Sequence, residues 1–134
     1  MKFLLDANTC IRMLNGSDAN VARRFAACAP ADIVLCSVVK AELLYGARRS
    51  ARVELNLRRL EIFSAPLRSL PFDDRCAHDY GLIRADLAAQ GRPAGANDLF
   101  IAAIARAHDL TLVTHNTGEF GRVVGLRLED WETP

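Results

Sequence analysis

Four acidic side chains and one amide have the types and placement to do chemistry together: Asp6, Glu42, Asp98, Glu119 and Asn116. Asp6 directly follows the short apolar run Lys2-Phe3-Leu4-Leu5. Glu42 has Val38, Val39 and Tyr45 at i−4, i−3 and i+3, so on a helix it shares an apolar stripe. Asp98 opens Leu99–Ala107, a stretch apolar on nearly every side, the pattern of a buried helix. Asn116 and Glu119 lie in the polar turn His115-Asn116-Thr117-Gly118-Glu119, after the β-branched run Leu110–Thr114. A carboxylate near apolar surroundings is costly unless it is paired, hydrogen-bonded or metal-bound.

Each residue also has a purely structural reading. Asp6 could cap a helix starting near Asn8, and Asn97 or Asp98 could cap the buried helix. Glu42 could pair with an arginine at the edge of its stripe. The balance shifts when the positions are combined. If the strand ending at Leu5 and the strand ending at Thr114 are neighbours, all five residues face one crevice at the carboxyl ends of the strands, where open α/β sheets form sites. Mutually repelling carboxylates persist only with compensating cation charge. With no Cys and no obvious His ligand among them, an all-oxygen set favours Mg²⁺ or Mn²⁺ over zinc. Such an ion acidifies a water, orients a phosphate and stabilises a leaving oxygen. His115 lies beside the turn but is expected to point away or to bind backbone. His78 and His108 are expected on helix surfaces, and none of the three is assigned a role.

The elements that must position these residues are legible in outline. Apolar runs over Lys2–Leu5, Ile33–Cys36, Pro66–Phe72 and Leu110–Thr114 predict buried strands, with a short terminal strand near Leu126–Leu128. Helical patterns run over Asn8–Leu14, from a Ser17 or Asp18 cap to about Ala27, Val38–Ala47 with Ser37 as cap, and Arg52–Phe63. Asp73–Gln90 reads as a long amphipathic helix with Ala77, Tyr80, Gly81, Ile83 and Leu87 on or near one face. Strands alternating with helices predict an α/β fold with a mostly parallel sheet. No linker divides the chain, so residues 1–134 are read as one domain.

Composition narrows the function classes. Hydrophobic residues make up 51% and charged residues 25%, which supports a real core without disulfides or structural metal. A net charge of +1 excludes polyanion binding by overall field and leaves only a local patch. Arg48, Arg49, Arg52, Arg58 and Arg59 offer one, although for any single one of them a solvated helix face is the stronger reading. Cys10, Cys28, Cys36 and Cys76 show no zinc-site spacing and read as buried thiols of a reducing compartment. The opening MKFLLDAN has too few apolar residues for a signal peptide, and no run is long enough to span a membrane, so a cytoplasmic protein is expected.

The segments LLDAN, SVVKAELLYGA, GANDLFIAAIARAHDLTLVTHNTGEF and GLRLEDW, in this order, resemble VapC-like toxins of the PIN-domain family over essentially the whole chain. The resemblance implies a three-layer α/β/α sandwich around a central, mostly parallel sheet. It implies an Mg²⁺- or Mn²⁺-dependent endoribonuclease that hydrolyses RNA phosphodiesters with a metal-activated water, a cognate antitoxin that blocks the site, and a homodimer. Asp6, Glu42 and Asp98 match the three core acidic positions and are the expected metal ligands. Many members carry a fourth acid where this chain has Asn116, so Glu119 is expected to supply the missing charge. Thr114 and Asn8 are expected to orient the ligands. The helix surfaces Cys10–Leu14 and Leu43–Ala47 are expected to receive an amphipathic antitoxin segment. Two other readings compete. A catalytically inactive PIN-fold binding module would fit the loss of the fourth acid. An Mg²⁺-binding phosphoacceptor signalling domain would want adjacent acids after the first strand and a late lysine, and no lysine follows Lys40.

Overall fold

The computed structural model describes residues 1–134 and contains a five-stranded sheet whose strands all run parallel. In chain order the elements are β1 (Phe3–Leu5), α1 (Ala7–Asn15), α2 (Ala19–Ala27), a 3₁₀ turn (Pro30–Asp32), β2 (Ile33–Cys36), α3 (Ser37–Arg48), α4 (Val53–Ser64) and β3 (Arg68–Leu70). They continue with α5 (Asp74–Ala89), α6 (Ala96–Ala107), β4 (Thr111–Val113), α7 (Thr117–Phe120) and β5 (Arg127–Glu129). The strand order is β3-β2-β1-β4-β5. The chain builds outward from β1 to one edge, then returns to the other side of β1 through α6. The switch point therefore falls between β1 and β4, paired as Phe3↔Thr111, Leu4↔Leu112 and Leu5↔Val113.

Burial explains why the central strands read as unbroken apolar runs. Leu4, Leu5, Ile33 through Cys36, Leu112 and Val113 are all buried, as required when helices cover both faces of a parallel sheet. The edge strands are short and carry exposed arginines, Arg68 and Arg127, which discourages further strand pairing. Helix α6 buries Leu99 and the whole run Ile101–Ala105. Its alanines let the backbone approach its neighbours closely, so truncating Ile104 to Ala should cost about 2–5 kcal/mol.

Several local expectations need correction. Helix α3 begins at Ser37 itself with Cys36 as its uncapped N-cap, and the Ser37 hydroxyl donates to the Leu70 carbonyl at 3.5 Å instead. The turn after β4 folds into the one-turn helix α7, in which Gly121 N–H donates to the Thr117 carbonyl. The buried face of α5 is Cys76, Tyr80, Ile83 and Leu87 at i, i+4, i+7 and i+11, with Ala77 and Gly81 turned to solvent. The four cysteines are free; Cys28 is only half-buried. No helix is long and apolar enough to cross a membrane.

Candidate active site

Asp6 is fixed by the chain on both sides. Its N–H donates to the Val113 carbonyl at 3.1 Å, extending the β1–β4 pairing by one residue. Its Oδ1 accepts from the Thr9 N–H at 2.8 Å, so Asp6 is also the N-cap of α1. The capping reading and the site reading thus hold together, because capping uses one oxygen and leaves Oδ2 without a protein partner. Thr9, not Asn8, supports it: the Thr9 hydroxyl donates to Val113 at 3.3 Å, while Asn8 is exposed. Thr9 is the third helical residue, the one an N-cap oxygen reaches.

Glu42 lies on α3, half-buried and in no ion pair, so the arginine partner allowed by the sequence is not there. Burial pushes its carboxyl above the ordinary range. The charge of Asp6 adds to this, and a hydrogen bond with the Asn97 side chain opposes it. Asn97 thus stands beside Glu42, a placement its capping chemistry concealed.

Neither Asn97 nor Asp98 caps α6; Gly95 occupies that position, with no side-chain cap. Asp98, in the first turn, is pushed up to about 7. Burial is the main cause, followed by its hydrogen bond to Glu119 and the charges of Glu119, Glu42 and Asp6. Glu119 moves the other way. It is held below its ordinary value chiefly by that hydrogen bond from Asp98, and further by the Gly95 N–H at 3.2 Å and the Asn116 amide at 2.9 Å. Arg122 stands 3.8 Å from its Oε1. The two proton affinities are thus pushed apart, Asp98 upward and Glu119 downward. Arg122 was not anticipated, although its i+3 spacing from Glu119 in GEFGR was the available signal.

Asn116 closes the cluster. Its N–H donates to the fully buried Thr114 hydroxyl at 3.0 Å, and its side-chain amide is spent on Glu119, leaving the carbonyl oxygen free. The chain thus brings Asp6, Glu42, Asp98, Asn116 and Glu119 to one crevice at the β1–β4 switch point. Among the four acids no three carboxylate groups bring an oxygen within 4.8 Å of one another. An all-oxygen donor set of this openness, strained by its own negative charge, fits a hard divalent cation held partly through water.

The histidines stay out of the crevice. His115 Nδ1 sits 2.9 Å from Asp130, and that acid's hydrogen bond, with Glu132 nearby, raises its pKa. His108 is partly buried rather than on the surface, with Nε2 unpartnered and Arg75 3.5 Å from Nδ1. The fold brings it to Asp73 and Cys76, a grouping invisible in sequence spacing. Burial raises the Cys76 thiol there, and the adjacent Arg75 disfavours a cation.

The PIN domain model matches residues 3–126. The chain is 44% identical to the tRNA(fMet)-specific endonuclease VapC of Shigella flexneri, over 98% of both sequences. Among solved structures it is similar to VapBC of Salmonella typhimurium bound to DNA, with a TM-score of 0.92 and 39% identity over 98% of each chain. It is likewise similar to VapBC2 of Rickettsia felis bound to a promoter DNA fragment, with a TM-score of 0.91 and 36% identity over 98% of this chain and 99% of that one.

Proposed function

This chain belongs to the PIN-domain family, and from that premise we propose that it is the toxin of a toxin–antitoxin pair, a hydrolytic endoribonuclease that depends on Mg²⁺ or Mn²⁺. The observation that carries the reading is the convergence of Asp6, Glu42, Asp98 and Glu119 on one strand-end crevice, with Asp98 still holding a proton near neutral pH. That proton marks the place where a cation would relieve the repulsion.

Asp6, Asp98 and Glu42 would hold the ion, directly or through water. When bound, it supplies Lewis acidity and neutralises phosphate charge. The chain's own groups do the rest. Asp6 offers Oδ2 because Thr9 has taken Oδ1. Glu42, with its raised proton affinity and no ion pair, accepts the proton of the attacking water. Glu119 fixes Asp98 and is itself fixed by Asn116, Gly95 and Arg122. Water attacks phosphorus in line, the P–O3′ bond breaks, and the departing O3′ takes a proton from solvent water. The products carry a 5′-phosphate and a 3′-hydroxyl. No histidine faces the crevice to take a proton from a ribose 2′-OH, so that hydroxyl is not the nucleophile.

The partner reading rests on a groove between α1, α3 and α4. Ile11, Leu14, Leu43, Gly46, Ala47 and Leu60 line a cavity of about 220 Å³ with Glu42 at its rim. An amphipathic antitoxin helix seated there would reach the carboxylates. The test is direct. The purified chain should cleave RNA with Mg²⁺ or Mn²⁺ and lose activity in EDTA, and Asp98→Asn should be strongly impaired. The product of the neighbouring gene should block cleavage. Because the Shigella flexneri relative is by name specific for tRNA(fMet), that tRNA is the first substrate to try. No cleavage of any RNA in either metal would sink the reading.

A further inference from the structure

The aromatic side chains of this chain are buried or half-buried with one exception, and Phe120 is buried in the core without an aromatic partner. Phe3 meets Trp131, Phe25 stacks on Phe63, and Phe72, Phe100 and Tyr80 form one cluster. Tyr45 is 66% exposed, the only aromatic ring so placed. Burial does not explain it. Its position on α3 does. Val38, Glu42, Tyr45 and Arg49 recur at i, i+4, i+7 and i+11, so they share one face of the helix. Tyr45 is one turn beyond Glu42, and Arg49 one turn beyond Tyr45, with its guanidinium 5.2 Å from the ring centroid.

This stripe is continuous with the carboxylate crevice. Tyr45, Glu42, Asn97 and Phe100 line a common cavity of about 440 Å³. The apolar groove assigned above to the antitoxin also ends at Glu42, on the other side. Glu42 thus divides a peptide-like groove from an aromatic shelf. The shelf's far end is basic: Arg48, Arg49 and Arg52 are exposed and none forms an ion pair. An exposed π-face, a guanidinium upon it and unpaired positive charge beside a phosphate-processing crevice suit a single-stranded nucleic acid.

We propose that Tyr45 and Arg49 form a stacking platform for an unpaired base of the RNA strand, next to the nucleotide whose phosphate enters the carboxylate crevice. The inference rests on the ribonuclease reading and extends it to substrate selection. Every base has a π-face, so the platform is tolerant of sequence. Duplex bases are already stacked, so it selects unpaired loops and ends. Tyr45 is a binding and positioning residue and takes no part in bond breaking.

The test uses the full chain and a short single-stranded RNA carrying 2-aminopurine, with Ca²⁺ in place of Mg²⁺ to prevent turnover. Binding to the wild type should quench the fluorophore at one position. Tyr45→Ala should lose that quench and about tenfold or more in affinity, whereas Tyr45→Phe should keep both. In Mg²⁺, Tyr45→Ala should raise KM with little change in kcat. A fully paired RNA should not distinguish the variants. Unchanged melting temperatures verify the fold of each variant. If the wild type binds and cleaves RNA but Tyr45→Ala matches it in quench and KM, the platform is overturned while the ribonuclease reading stands. If sedimentation instead shows Tyr45→Ala dissociating a dimer without altering the quench, the ring is a contact between copies and the proposal fails. If the wild type neither binds nor cuts RNA, both fall.

Discussion

Asp98, in the first turn of α6, meets Glu119 on α7. The contact between these two acids from elements flanking β4 raises the proton affinity of Asp98 and lowers that of Glu119, which favours a single proton held at Asp98. Burial and the neighbouring charges of Glu42 and Asp6 make a second charge costly. A divalent cation can replace that proton, which makes the pair the natural place to probe the site.

Asp98→Asn should lose roughly a hundredfold or more in RNA cleavage, since replacing a group that orients or holds a catalytic ion costs at least this scale. Its metal-free fold should persist and melt higher than the wild type above about pH 7, because the buried carboxylate has gone. Thermal melts with and without Mn²⁺ should show the wild type stabilised by metal and the variant scarcely so.

The pH dependence follows from the same group. Asp98 has an ordinary value of 3.8 and a folded value of about 7, so between these limits the folded chain binds more protons than the unfolded one. Its contribution is therefore complete below about pH 4 and is lost as pH rises through about 7. Glu119, held low, works oppositely and only at acidic pH, losing its contribution as pH falls below its ordinary 4.5. Melts in EDTA should decline from mildly acidic to neutral pH, Mn²⁺ should restore stability at the upper end, and Asp98→Asn should flatten the decline. A metal-free chain that gains stability across that window would contradict the arrangement.

The choice of nucleophile predicts substrate tolerance. A single 2′-deoxy sugar at the scissile position should still permit cleavage in Mg²⁺, and the products should end in 5′-phosphate and 3′-hydroxyl. End-labelled products resolved beside alkaline hydrolysis markers decide it. A resistant deoxy substrate with cyclic phosphate termini would refute this chemistry even if the chain cuts RNA.

Gly46 tests the groove apart from the crevice. A Cβ built there meets nothing within 4 Å, so Gly46→Leu should fold, and removing a mid-helix glycine should add about 0.5–1 kcal/mol. The leucine would occupy the cavity formed with Ile11, Leu14 and Leu60. Antitoxin capture should drop sharply while cleavage of free RNA stays unchanged. Equal capture by wild type and variant would move the partner's seat elsewhere.

Much of this protein is determined by sequence alone. Continuous apolar runs specify strands covered on both faces, and alternation with helices specifies parallel connections. The all-round apolar stretch after Asp98 could only be a buried helix. Those signals are local and periodic, so one chain displays them. The motif segments also carried the family, and they named the five residues that the fold brings near one another. Other features arise only when distant segments meet. Asp6 caps α1 through one oxygen, and the β1–β4 pairing decides that its carboxylate sits at the switch point with the other oxygen unpartnered. Asn97 stands beside Glu42 because Gly95 takes the N-cap position. Arg122 reaches Glu119 only because the turn after β4 closes into a helix. The split between the proton affinities of Asp98 and Glu119 has no counterpart in either residue's type. It comes from burial and charge summed across four segments, and both depend on distances that the tertiary structure alone sets.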